Sequence, residues 1–113
     1  MSGISTHVLD TSTGRPAAGV AVRLELEHGA ERRELARATT DVDGRVPQLL
    51  PAGTPLAAAT YRLTFDTGAY FGVRGAPAFY PQVMVVFTVR DAGQHHHVPL
   101  LLSPFGYSTY RGS

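Results

Sequence analysis

Apolar residues recur at every second position through much of this chain, and that spacing favours strands over helices. In Val20–Glu27, Val20, Val22, Leu24 and Leu26 fall on one side of an extended backbone, and Ala21, Arg23, Glu25 and Glu27 on the other. That is the pattern of a strand with one face in a core. Thr60–Asp66 repeats it, with Tyr61, Leu63 and Phe65 opposed to Thr60, Arg62, Thr64 and Asp66. Val83–Val89 is a run rich in β-branched residues and reads as a more deeply buried strand. Ile4–Leu9, Leu35–Thr40, Arg45–Gln48, Gln94–Leu102 and Tyr107–Arg111 are weaker strand candidates.

Turn formers separate these runs. Thr13-Gly14-Arg15-Pro16, Glu27-His28-Gly29, Asp41-Val42-Asp43-Gly44, Pro51-Ala52-Gly53 and Asp91-Ala92-Gly93 each combine residues that tolerate or require turn geometry. Short strands between such turns indicate an antiparallel sandwich or barrel. One short helix is expected at Thr67–Val73. With 113 residues and no linker, repeat or low-complexity tract, residues 1–113 are expected to form one domain.

Composition removes several kinds of chemistry. There is no lysine, so no Schiff base, and no cysteine, so no disulfide, thiolate nucleophile or cysteine-rich zinc site. A net charge of +1 gives no nucleic-acid surface. No apolar run is long enough to span a membrane as a helix. Met1–Ile4 lacks the basic start and apolar stretch of a signal peptide, so a cytoplasmic location is expected.

What remains is histidine, arginine and hydroxyl chemistry. His95, His96 and His97 are consecutive; on a strand His95 and His97 share one side and His96 takes the other. The pair could transfer protons, or could lie on a merely polar strand edge. His7, in Ser5-Thr6-His7-Val8-Leu9-Asp10, faces opposite to Thr6, Val8 and Asp10, and alone reads as a structural or exposed histidine. Arg45 alone reads as a solvated residue after a turn. Asp41 and Asp43 match the opening of a calcium loop, but its distal glutamate is missing, so they read as turn formers. Tyr107–Ser113 is polar, and composition alone leaves it as either a frayed tail or a last strand.

Three segments together resemble the transthyretin family. These are Ile4–Thr11 with Gly14-Arg15-Pro16-Ala17, then Phe79-Tyr80-Pro81 leading into Val85-Val86-Phe87, and His95–Pro104 followed by Tyr107–Ser113. The histidines and the terminal Tyr110-Arg111-Gly112-Ser113 resemble the family's 5-hydroxyisourate hydrolase branch in particular. A given terminal tetrapeptide arises by chance on the order of once in 10⁵ sequences. The resemblance implies an all-β, transthyretin-like antiparallel sandwich of about eight strands in two sheets with one short helix. It implies a homotetramer, a dimer of dimers with active sites at subunit interfaces. It also implies hydrolytic ring opening of 5-hydroxyisourate without a cofactor. Carried over residue by residue, it makes His7, Arg45 and His97 catalytic, and Tyr110, Arg111, Gly112, Ser113 and His95 substrate-binding. His96 stands where the family usually has tyrosine; facing away from its neighbours, it is expected to affect packing more than chemistry.

Two other readings compete. Asp10–Val20, Thr40–Arg45 and Pro51–Phe65 also resemble non-catalytic sandwich modules of the carboxypeptidase-regulatory type, which need neither the histidine pair nor the terminal tetrapeptide. Alternatively, His7, His95 and His97 could supply three zinc ligands with water in the fourth position.

Overall fold

The computed structural model describes residues 3–113. Among these residues nine strands form two sheets, and one helix interrupts the succession of strands. The first sheet contains β1 (Gly3–Asp10), β2 (Arg15–Pro16), β5 (Arg45–Val46), β8 (His95–Ser103) and β9 (Gly106–Thr109). The second contains β3 (Ala21–His28), β4 (Glu31–Thr39), β6 (Ala59–Phe65) and β7 (Val83–Val89), ordered β4-β3-β6-β7. Helix α1 (Thr67–Val73) connects β6 to β7.

The alternating residues make the core. Ile4 and Val8 of β1, Val22 and Leu24 of β3, Leu63 and Phe65 of β6, and Leu100 and Leu102 of β8 are all fully buried or nearly so. Their neighbours along each strand carry the charges: Arg62 Nη2 pairs with Glu27 Oε1 at 2.9 Å across the outer face of the second sheet. Helix α1 starts where Asp66 accepts a hydrogen bond from Ala69 N. It is pinned to the first strand by Tyr70, whose hydroxyl donates to buried Asp10 Oδ2 at 2.8 Å. Burial would raise the Asp10 carboxyl, but hydrogen bonds from Ser12 and Tyr70 outweigh it and hold the group below its ordinary value. The Tyr70 hydroxyl, desolvated and facing that carboxylate, is pushed up to about 12.

Two expectations change. Val83–Val89 is not buried throughout: Val83, Val85 and Val89 are inside, whereas Met84, Val86 and Thr88 are exposed. It is the edge strand of its sheet, and no layer covers the outer face. The sandwich is also not antiparallel throughout. β1 and β8 run parallel over eight residue pairs, from Gly3 opposite His95 to Asp10 opposite Leu102. A parallel pair needs a long crossover, and here the crossover contains the entire second sheet along with α1, β2 and β5.

The strands β1, β5 and β8 position the chemistry, and β5 depends on a turn. Asp41 Oδ1 accepts from the backbone N–H of Asp43 and of Arg45, both at 2.9 Å, so the two aspartates' segment is a turn that presents Arg45. Gly44 closes it at φ +73°, and a Cβ there would collide with the Val8 carbonyl oxygen. Gly44→Ala is therefore expected to cost at least about 1–3 kcal/mol from backbone strain alone. For a domain of this size that lowers Tm by roughly 4–8 °C per kcal/mol, which a thermal melt would register. A melt unchanged from wild type would show that the turn relaxes freely.

Candidate active site

Alternation along β1 sends Ile4, Thr6, Val8 and Asp10 inward and turns Ser5 and His7 to the other face of the first sheet. Register then supplies their neighbours. His7 stands opposite Arg45 on β5, while Ser5 stands opposite His97 on β8 and Gly3 opposite His95. Adjacent strands lie about 4.8 Å apart, so three strands distant in sequence place three imidazoles, a hydroxyl and a guanidinium side by side.

Ser5 is the junction. Its Oγ lies 2.7 Å from His95 Nε2 and 2.8 Å from His97 Nδ1. A cleft of about 300 Å³ opens over this face, lined by Ser5, Thr6, Arg45, Pro47, His95, His97 and Ser113. That is the lower end of the range for small-molecule sites. The end of the chain forms part of its wall. Gly112 N donates to His97 O at 2.8 Å, and a Cβ on Gly112 would sit 2.6 Å from His97 Cδ2. The tail thus lies directly on the His97 ring, a contact that only glycine permits.

His97 is held below the ordinary histidine value, first by burial, then by the nearby positive charge of Arg45 and by His7 and His95. At neutral pH it is a neutral imidazole with one nitrogen committed to Ser5. His96, on the opposite side of β8, is buried at 5% exposure and bonded through Nδ1 to the Gln94 carbonyl. Burial is also the largest cause lowering its value, with Arg111 acting in the same direction. Both rings resist protonation in the folded state, so the unfolded chain binds protons first as pH falls. Stability is expected to be level above about pH 7, to fall through the ordinary histidine value of about 6.5, and to level again below the two folded values. Melts between pH 8 and 5 would trace this, and His96→Gln should flatten part of the slope. A slope unaltered by that change would remove His96 from the effect.

The structure brings together His7, Arg45, His95, His97, Gly112 and Ser113. It does not bring Tyr110 and Arg111 to them. Those two residues border a separate cleft of about 230 Å³ with Val85, Phe87, His96 and Val98, at the open side between β7 and β9. Arg111 Nη2 donates to Gln94 Oε1 at 3.0 Å. Among the described residues no three His, Asp or Glu side chains are grouped as metal ligands; Ser5 stands between His95 and His97. The residue that sequence reasoning missed is Ser5. The signal for it was its position two residues before His7, on the same strand face.

Known proteins resemble this chain in sequence and in fold. A 5-hydroxyisourate hydrolase of Caulobacter vibrioides is 49% identical over 117 residues, covering all of both chains. The structure of Klebsiella pneumoniae 5-hydroxyisourate hydrolase superposes with a TM-score of 0.87 at 41% identity, over 99% of this chain and 100% of that one. Sea bream transthyretin, solved in complex with thyroxine, also gives 0.87, at 31% identity and over 96% and 93% of the two chains. The model of the HIUase/transthyretin family matches residues 4–112, and the chain belongs to that family.

Proposed function

We propose that this protein is a hydrolase that opens the six-membered ring of 5-hydroxyisourate at its N1–C6 amide. The product is 2-oxo-4-hydroxy-4-carboxy-5-ureidoimidazoline, an intermediate between urate and allantoin. The observation that carries the reading is the cleft in which Arg45, His97 and the terminal Ser113 meet beside His7. The non-catalytic sandwich reading leaves this cleft and the docked tail without a role.

Amide hydrolysis needs an activated water, stabilisation of charge on the carbonyl oxygen, and a proton for the departing nitrogen. His97, neutral because it is desolvated and faces Arg45, is suited to take the proton from water. Arg45 offers a fork of N–H donors to the planar ring's oxygens and to the oxyanion. His7, directly across from Arg45, positions the water or protonates nitrogen. Gly112 and Ser113 close one wall, with His95 at the edge. Tyr110 and Arg111 act on the substrate indirectly, by fixing where the last two residues lie.

The same reading makes the protein one domain, residues 1–113, assembled as a homotetramer. What supports assembly is that β7 and β9 end their sheets with unpaired edges. Met84 and Val86 on β7, and Tyr107 on β9, are exposed beside those edges. Bare apolar edges are what strand pairing between copies would cover. In this arrangement two such dimers associate, and active sites lie where subunits meet. Light scattering would give the stoichiometry. We also place the protein in the cytoplasm, which cell fractionation checks.

The function is tested by generating 5-hydroxyisourate freshly with urate oxidase and following its ultraviolet absorbance. Decay well above the spontaneous rate, unchanged by a chelator, is the expected result. Loss of turnover with chelator and its return with zinc would instead favour the metal reading. Decay at the spontaneous rate by folded protein would overturn the hydrolase reading.

A further inference from the structure

Hydrogen-bond arithmetic at Ser5 constrains the two histidines that flank it. A serine hydroxyl has one proton to donate and lone pairs to accept. With His95 Nε2 at 2.7 Å and His97 Nδ1 at 2.8 Å, its one proton can serve only one ring, so at least one ring donates its N–H to Ser5, and where Ser5 spends its proton within the trio it donates to the other. The two imidazoles therefore cannot choose their tautomers independently. If Ser5 donates to His97 Nδ1, then His97 carries its proton on Nε2 and has no lone pair left for a water. If Ser5 donates to His95 Nε2, then His97 Nδ1–H donates to Ser5 and His97 Nε2 is a free base.

We propose that Ser5 sets the second arrangement and couples His97 to His95 as a proton relay. The proposal rests on the hydrolase reading for its catalytic consequence, but the coupling itself is a property of the three side chains. Water loses a proton to His97 Nε2. The Nδ1 proton of His97 passes to Ser5 Oγ, and the Ser5 proton passes to His95 Nε2. Ser5 ends unchanged, His97 ends neutral as its other tautomer, and the positive charge ends on His95. Position makes that direction favourable: His97 is half-buried under Gly112, whereas His95 is exposed. Charge created against the Arg45 guanidinium in a confined site is costly, and water around His95 solvates it. Ser5 is a positioning residue here; it touches the base rather than the substrate.

The first test needs no turnover. Long-range ¹H–¹⁵N NMR of the wild-type protein at pH 7.5 should show His97 as the Nδ1–H tautomer. Ser5→Ala should shift it towards Nε2–H, and Ser5→Thr, which keeps the hydroxyl, should preserve it. Wild-type His97 found as Nε2–H, or a tautomer indifferent to Ser5→Ala, would overturn the proposal. The second test reads kinetics. Ser5→Ala and His95→Ala are each expected to lower kcat about 10- to 100-fold with KM little changed, the low end of acid–base contributions. The double variant should be no slower than the slower single one, because both remove one relay. Additive losses would overturn the relay, as would a Ser5→Thr variant as slow as Ser5→Ala. If wild-type protein shows the coupled tautomers yet does not hydrolyse 5-hydroxyisourate, the hydrolase reading fails and the coupling stands.

Discussion

His97→Ala should leave a folded protein whose kcat is about 10²–10⁴-fold lower, the usual contribution of a general base. At about 1.36 kcal/mol per tenfold, that is roughly 3–5 kcal/mol of barrier. Stability should change far less. His97 is only half-buried, and the strand bonds that hold β8 to β1 are made by backbone, not by the ring. Ser5 keeps His95 as a partner, so no hydroxyl is stranded. KM should move little, because Arg45 and Ser113 still line the cleft. His97→Gln fills the space without a base and should lose as much. Steady-state rates beside a thermal melt separate the effects; full turnover in either variant would take His97 out of the chemistry.

Gly112→Ala is the second large effect. The added methyl would lie 2.6 Å from His97 Cδ2, closer than carbon atoms approach, and a tight 3.1 Å from Pro99 Cγ. Either the tail lifts from β8 and breaks the Gly112–His97 backbone bond, or the His97 ring is driven off Ser5. Both outcomes displace a reacting group by about an ångström, a misplacement that can cost on the order of 10²-fold. Gly112 joins β8 through a single isolated bridge, so the melt should change far less than kcat. Residues appended after Ser113 would crowd the same wall, and a C-terminal tag should hinder turnover without unfolding the protein. A tagged protein or Gly112→Ala variant with wild-type kcat would show that the wall plays no part.

The strands that were clearest in the sequence are those whose alternation is local. Val20–Glu27 and Tyr61–Phe65 each announce a buried face within one segment, and both lie where expected. Arg45 was legible as a turn product because Asp41 to Gly44 specify that turn. Val83–Val89 misled because β-branched residues suit an exposed edge as well as a covered strand. The parallel partnership of β1 and β8 was not legible, since nothing in either segment states which distant strand it will meet. Ser5 was overlooked for the same reason: a serine becomes an imidazole's partner only once register sets it opposite His97. Tyr110 and Arg111 share a motif with Gly112 and Ser113, yet adjacency in a strand-like tail separates faces, and Arg111 turns to Gln94.

The parallel pairing also sets when activity can arise during synthesis. β1 leaves the ribosome long before its partner β8, so the face holding Ser5 and His7 waits until the second sheet has been made. Contacts so distant in sequence make folding slow relative to chains with local contacts. During that wait the exposed backbone edge of β1 is open to mispairing. All four strands of the second sheet precede β8 in the chain, so a nascent chain can complete that sheet while still having no completed cleft.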